Sequence, residues 1–389
     1  MYSKQTAAKP WGIAPTSRTE TMVLRAIWFG DAETRSQLAV STGLSRPTII
    51  AALSALRERN LIHLSRRKRG ALGRDPEFIT LNPRAIYGIG VDIGGTKTAA
   101  ALVDLSGEIV AEITRPTVCE DAEALVESVA ELKRQLLDNI GTGSQAVQFV
   151  AVGIPGVMQD DGRLLHTGTL LGLDSRDIRG LFQERLGCHV HFENDVNMAA
   201  YGELLNAQSF SEGTRVLISV GTGLGMGIVH CGEVLRGSTG HAGEIAYLPI
   251  SDDLQSPLAI QHGAAEMLVS GPVFEQRYFA LSGKQRTADK VLEMFLDDDP
   301  HAITAVNELS YHLARIIVSV VVTLDPELVV LAGGLGSSPI LQDPLRRAVN
   351  SMSPLPVKLE PARFGGRAGV VGAATFAQRH LQKFLTAEK

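Results

Sequence analysis

The sequence predicts an α/β protein in two unequal parts, a small basic helical head carrying a two-stranded wing and a larger α/β body. Three observations predict it. Charge is divided unevenly: residues 1–85 hold 14 Lys and Arg against 6 Asp and Glu, although the chain as a whole has a formal net charge of −5. In the body, short apolar runs end repeatedly in glycine turns, as in VDIGGTK, VGIPG, VGTGLGMG and VVLAGGLG. Between these runs lie stretches with apolar residues at helical spacing, notably about 121–140 and 301–324. A length of 389 residues suits two or three domains. The expected division is a disordered lead-in over 1–18, the head over 19–85, and the body over 86–389.

Composition excludes several classes. Hydrophobic residues make up 44% and charged residues 20%, ordinary for a chain with real cores. No uninterrupted apolar run of about 18 residues is present, so no membrane span is expected. The first twenty residues have no apolar centre and make a poor signal peptide. Cys119, Cys188 and Cys231 are odd in number and far apart, which argues against a disulfide framework or a cysteine-only metal site. A reducing cytoplasm is the expected setting. A basic head on an acidic body points to a polyanion meeting the head.

In the head, TETMVLRAIWF (19–29) has helical apolar spacing. AETRSQLAVSTGLSRPTIIAALSALRERN (32–60) reads as helices over 34–41 and 46–59 around the turn STGLS. Gly43 stops the first helix, Ser45 caps the second, and Pro47 suits its first turn. Ile49, Ile50, Leu53 and Leu56 are expected to form one apolar stripe. Ser45, Arg46 and Thr48 then lie at the exposed N-terminal end, where a recognition helix presents side chains to the major groove. LIHL, a basic glycine-containing loop and EFITL read as a wing. Arg66, Arg67, Lys68, Arg69 and Arg74 can neutralise DNA phosphates from it. A basic loop alone is usually a solvated surface; three short helices and wing strands in this order are more specific for DNA binding.

In the body, Asp92 ends an apolar strand. Gly94 and Gly95 allow a tight hairpin whose N–H groups can face an anion, with Thr96 and Lys97 adding a hydroxyl and a cation. This is not a P-loop, because no GK[ST] opens a helix. CHVHFENDVNMAAYGE (188–203) reads as a strand, a polar elbow and a helix. Asp195 at the elbow, beside Asn194 and Asn197, can accept a proton from a substrate hydroxyl or can cap the helix, and the segment alone leaves both readings open. GTGLGMG (221–227) is a second glycine hairpin. Gly333, Gly334 and Gly336 form a seat for a nucleotide's adenosine.

DIGGTK, GIPG, ENDVNMAA, GTGLGMG, GHAGE and AGGLG stand here in the order of the ROK family (repressors, open reading frames and sugar kinases). The resemblance covers 86 to about 380, and a winged helix-turn-helix ahead of it is the layout of the ROK repressors. It implies an actin-like, sugar-kinase type of fold: two α/β lobes around a cleft for sugar and ATP, with Mg²⁺ where phosphoryl transfer occurs, in a homodimer or homotetramer. It implies phosphate contacts for Asp92, Gly94, Gly95, Thr96 and Lys97, and for Gly221, Thr222 and Gly223. It implies a catalytic base at Asp195 and sugar contacts at Asn194, Glu244 and Glu266.

The departures matter as much. The family's structural zinc site has a histidine where Tyr247 stands, and cysteines where Pro257, Ala259 and Ala264 stand, so no zinc is expected. That histidine also touches sugar, so Tyr247 takes over its position. His241 and His262 read as loop histidines. The Asn-Leu pair of the family is replaced by Thr169-Leu170. The resemblance therefore implies a regulator of carbohydrate genes that binds operator DNA and responds to a sugar or sugar phosphate. An ATP-dependent sugar kinase is the alternative.

Overall fold

The computed structural model describes residues 14–66, 77–118, 120–143, 146–159, 161–165, 176–205 and 213–387. The head contains helices Arg18–Trp28, Arg35–Thr42 and Arg46–Glu58, followed by strands β1 (Ile62–Arg66) and β2 (Glu77–Leu81). The strands pair antiparallel, with Ile62 opposite Leu81. Each helix begins on a hydroxyl cap: Ser17, Thr34 and Ser45 accept from Glu20, Gln37 and Thr48 N–H. Such caps contribute about 1 kcal/mol each. Gly43, at φ 69°, ends the second helix in the left-handed conformation that favours glycine.

Two expectations for the head need correction. The buried stripe of the third helix is Ile49, Ala52, Leu53 and Leu56, and Ile50 is 50% exposed. Consecutive helical residues point about 100° apart, so Ile49 and Ile50 cannot both face one core. The end of the expected lead-in is also held in place. Ala14 is buried, and the Thr16 hydroxyl donates to Glu20 and accepts from Arg59. Arg59 pairs with Glu20 at 3.0 Å, fastening the chain ahead of the first helix to the end of the third.

The body is built on two five-stranded sheets of identical strand order. The first comprises β3 (Tyr87–Ile93), β4 (Lys97–Asp104), β5 (Ile109–Pro116), β6 (Val147–Ile154) and β9 (His189–Asn194), in the spatial order β5-β4-β3-β6-β9. A short pair, β7 (Val157–Met158) and β8 (Leu164–Leu165), intervenes in the chain. The second sheet comprises β10 (Thr214–Val220), β11 (Leu224–His230), β12 (Glu233–Val234), β13 (Leu328–Ala332) and β14 (Leu359–Pro361), in the order β12-β11-β10-β13-β14. In both, the first strand is central, the next two add as antiparallel hairpins, and the last two add parallel on the other side. Parallel neighbours need crossover connections, here the helices Ala122–Asn139, Ile178–Leu186, Pro300–Leu324 and Pro339–Met352. Among the described residues Pro300–Leu324 alone is long and apolar enough to cross a membrane. Leu313, Ile316 and Ile317 bury it in the core of the second lobe.

Two helices join the lobes. Helix Asp195–Leu204 leaves the first sheet and packs on the second, where Gly225 and Gly227 of β11 make room for Val196 and Ala200. Helix Ala368–Thr386 returns from the second lobe and crosses it so closely that a Cβ on Gly372 would lie 1.7 Å from Met198 O. It then lies over the first sheet, and its Leu381 and Leu385 share one apolar cluster with Val23, Leu24 and Leu56 of the head. The core of the head thus continues into the C-terminal helix.

Candidate functional site: a cleft of carboxylates between glycine turns

The fold brings the predicted acidic residues together. Asp92, near the end of β3, feels the charge of Asp195 at the start of the joining helix. Asp195 feels Glu244, and Glu266 feels Glu244 in turn. Four carboxylates from both lobes therefore share one electrostatic neighbourhood. Burial and like charge both favour the protonated forms of Asp92, Asp195 and Glu266. Asp92 is pushed up to about 7, mainly by burial and next by Asp195, against the pull of Lys97. Burial also raises Asp195 and Glu266.

The elbow separates the two readings of END. Asn194 is the N-cap: its Oδ1 accepts from Val196 and Asn197 N–H, and its Nδ2 donates to Gly156 O of the GIPG loop. Asp195 accepts from Val196 N–H and its own N–H at the start of its helix, and no side chain hydrogen-bonds it among the described residues. Its carboxylate is therefore available to a hydroxyl, and the helix N-terminus behind it favours the negative charge.

Glu193 received no role from the sequence, yet it organises the elbow. It is buried, accepts from Asn194 N–H and from Asn197 Nδ2, and pairs with Arg236 at 2.5 Å. The available signal was a charged residue at the inward position of a buried strand. Glu203, on helix Asp195–Leu204, was also missed. It accepts from Arg363 and Phe364 N–H at 2.9 and 2.7 Å and so ties the linker between the lobes to the joining helix.

The glycine turns behave as compact hairpins. Gly94 N–H bonds to Lys97 O, and the Thr117 hydroxyl donates to Gly94 O, leaving Gly95 and Thr96 exposed. Lys97 donates to Gly366 O at 3.1 Å, reaching the interlobe linker. In the second lobe Gly221 lies beside Gly333 and Gly334, and no atom lies within 4 Å of where a Cβ would project from Gly334. The two expected nucleotide segments of this lobe therefore lie side by side, with Gly334 and Thr222 exposed between them. Glu266 Oε2 accepts from Leu224 N–H at 2.8 Å, so this residue, expected at the sugar, also braces the second glycine turn.

The loop that would carry zinc is closed by protein contacts. Ala265 N–H bonds to Ala246 O, and the Tyr247 hydroxyl, on a residue 52% exposed, donates to Gln261 O at 3.3 Å. Tyr247, Pro257, Ala259 and Ala264 offer neither thiolate nor imidazole, so the donor set does not fit zinc. His241 and His262 are exposed.

In the head, Ser45 and Thr48 share a hydroxyl–hydroxyl hydrogen bond of 2.7 Å, and Arg46 beside them is exposed. The backbone of Arg66 ends β1 opposite Glu77. Arg67, Lys68, Arg69 and Arg74, and also Thr169 and Leu170, lie outside the described residues.

Twin sheets of this order around a carboxylate-lined cleft, with glycine turns on each side, define a protein of the sugar-kinase type of fold. The ROK family model matches residues 88–380, and the chain belongs to that family. It is similar to the xylose repressor of Bacillus subtilis (strain 168), 21% identical over 94% of this chain and 96% of the relative. It is similar also to a glucokinase of Halalkalibacterium halodurans, 27% identical over 73% of this chain and 92% of the relative. Among solved structures, a ROK family transcriptional regulator described as a homologue of the E. coli MLC protein superposes with a TM-score of 0.75, at 21% identity over 95% of this chain and 98% of its own. A ROK hexokinase of Thermus thermophilus gives 0.65, at 28% identity over 76% of this chain and all of its own. The kinases are matched along the body; the regulators are matched through the head as well.

Proposed function

We propose that this chain is a DNA-binding regulator of carbohydrate genes, a repressor whose hold on operator DNA is set by a sugar in the cleft. The observation that carries this reading is the continuous packing from cleft to head. The helix bearing Asp195 is crossed by the C-terminal helix, and that helix ends in the apolar cluster of the head. A ligand that binds one lobe arrangement better than the other shifts the population of that arrangement. The close crossing at Gly372 passes the shift to the head, because packed interfaces do not deform continuously. In a homodimer or homotetramer this would change the spacing of the recognition helices. Ser45, Arg46 and Thr48 would meet base edges, and the basic wing the phosphates. A cytoplasmic location follows from the DNA partner.

The supporting comparison is the xylose repressor, whose similarity runs through head and body alike. The test is a mobility-shift titration with DNA from the gene's own control region, run with and without a panel of sugars. A specific shift that one sugar weakens is expected; no shift under any condition contradicts the proposal.

A second reading, ATP-dependent sugar phosphorylation, is favoured by the unshared carboxylate of Asp195. Asp195 would take the proton of a sugar hydroxyl. Lys97 and the two glycine turns would hold the phosphates of ATP, and Mg²⁺ would neutralise their charge. An ATP-consumption screen over the same sugars tests this reading, and turnover no higher than that of an Asp195→Ala control removes it.

A further inference from the structure

Beside the sugar end of the cleft lies a cavity of about 180 Å³ against the open edge of β9. Gly156, Arg179, His191, Glu193, Asn194 and Arg236 are among its walls. Asn194 and Gly156 also form the elbow next to Asp195, so the cavity adjoins the place where sugar hydroxyls are expected.

Its chemistry is cationic and directed. Arg236 engages Glu193 through Nε alone, and its two terminal nitrogens hydrogen-bond nothing among the described residues. Glu193 in turn spends its other oxygen on Asn194 N–H and Asn197 Nδ2. The guanidinium is therefore anchored on one side and open on the other, the arrangement suited to forked binding of a carboxylate or phosphate. Arg179, whose Nη2 donates to Gln159 O, is also among the walls. His191 Nε2 is closed off from solvent and has no hydrogen-bond partner. Burial, and next the charge of Arg236, hold His191 down at about 3, so it is neutral and adds no charge there. A neutral monosaccharide at Asn194 and Asp195 would leave this guanidinium fork unused.

We infer that the effector is an acidic sugar, its hydroxyl-bearing ring at Asn194 and Asp195 and its anionic oxygen group, phosphate or carboxylate, on Arg236. The inference rests on the reading of the cleft as a sugar site and narrows the class of sugar it accepts.

Calorimetric titration of the full-length protein tests it, using probes that differ in charge: glucose, glucose 6-phosphate and glucuronate; N-acetylglucosamine and its 6-phosphate; xylose and xylonate. At least one acidic form should bind about tenfold or more tightly than its neutral parent, a gap of about 1.4 kcal/mol. Its affinity should fall as salt is raised. Phosphate preferred over carboxylate names the sugar phosphate, and the reverse names the sugar acid. Arg236→Gln keeps a donor for Glu193 but removes the cation. It should abolish the preference, lowering acidic-sugar affinity by about tenfold more than neutral-sugar affinity. Arg179→Gln, also in the cavity wall, should reduce the preference in part. Neutral parents binding as tightly as their acidic forms, or a preference untouched by Arg236→Gln, would overturn the acidic subsite and leave the sugar reading intact. Inorganic phosphate binding as tightly as the sugar phosphate would also overturn it. Binding of no sugar, neutral or acidic, would remove both.

Discussion

The two lobes share one strand order but divide the work. In the second lobe the buried residues are almost all Val, Ile, Leu and Ala around helix Pro300–Leu324, and among the described residues the only buried polar side chains are Ser270 and Ser310. In the first lobe and its joining helix, Asp104, Glu193 and Glu203 are buried, and Asp92 and Asp195 are held against ionisation. The first lobe also stacks Phe149 on His380 at 3.8 Å and His191 on Phe376 at 4.5 Å. The same topology thus serves once as an apolar clamp and once as a framework for buried charges, and the charged copy is the one attached to the head. Sites that bind or react commonly hold charges at some cost in stability, offset elsewhere in the fold.

The sharpest way to break this contrast is in the apolar lobe. Leu313→Ala should cost roughly 2–5 kcal/mol of unfolding free energy, because it opens a cavity in a closed core. Ligand affinity should stay unchanged while the protein remains folded. Denaturant unfolding and a binding titration together check this.

The polar lobe should instead make stability depend on pH, with two opposing arms. Asp92 titrates near 3.8 when unfolded and about 7 when folded. The folded state therefore holds that proton more tightly, and its contribution falls as pH rises through this range. Asp92→Asn should remove that loss, gaining no more than roughly 4 kcal/mol at pH 8 and little at pH 4. His380 has the opposite sign. Burial depresses it from 6.5 to about 4, so its contribution is present above 6.5 and is lost as pH falls toward 4. His380→Phe, which keeps the stack on Phe149, should lessen the acid lability. Thermal melts of the two single variants and the double variant from pH 4 to 8 check both arms. Equal pH dependence in all of them would contradict the account.

Effects in the head should be smaller. Arg59→Ala loses the pair with Glu20 and the bond to Thr16, and should destabilise the head by about 1–3 kcal/mol. Ser45→Ala removes a cap and a hydroxyl from the proposed DNA face; it should cost about 1 kcal/mol of stability. Hydrogen exchange in the third helix measures both.

Local chemistry made most of the fold legible. Hydroxyl caps, Gly43 and the glycine hairpins each dictate backbone geometry within a few residues. The C-terminal helix crossing, by contrast, joins Gly372 to Met198, and Glu203 to Phe364, across long stretches of chain. No local pattern encodes such meetings. In the cleft, Asp92, Asn194 and Asp195 stood out from their place at strand ends and at a polar elbow, whereas Glu244 and Glu266 came only through the resemblance. Glu193 and Arg236 escaped because their meeting depends on where β9 lies against the turn after β12. Ile50 was misassigned because a run of two apolar residues does not say which one faces inward.

The most direct test of the account is operator binding by Asp195→Asn, measured with and without the effector sugar. The account predicts DNA affinity like that of the unaltered protein and no response to sugar, because the cleft has lost its ligand while the head is intact. An undiminished sugar response in this variant would contradict it.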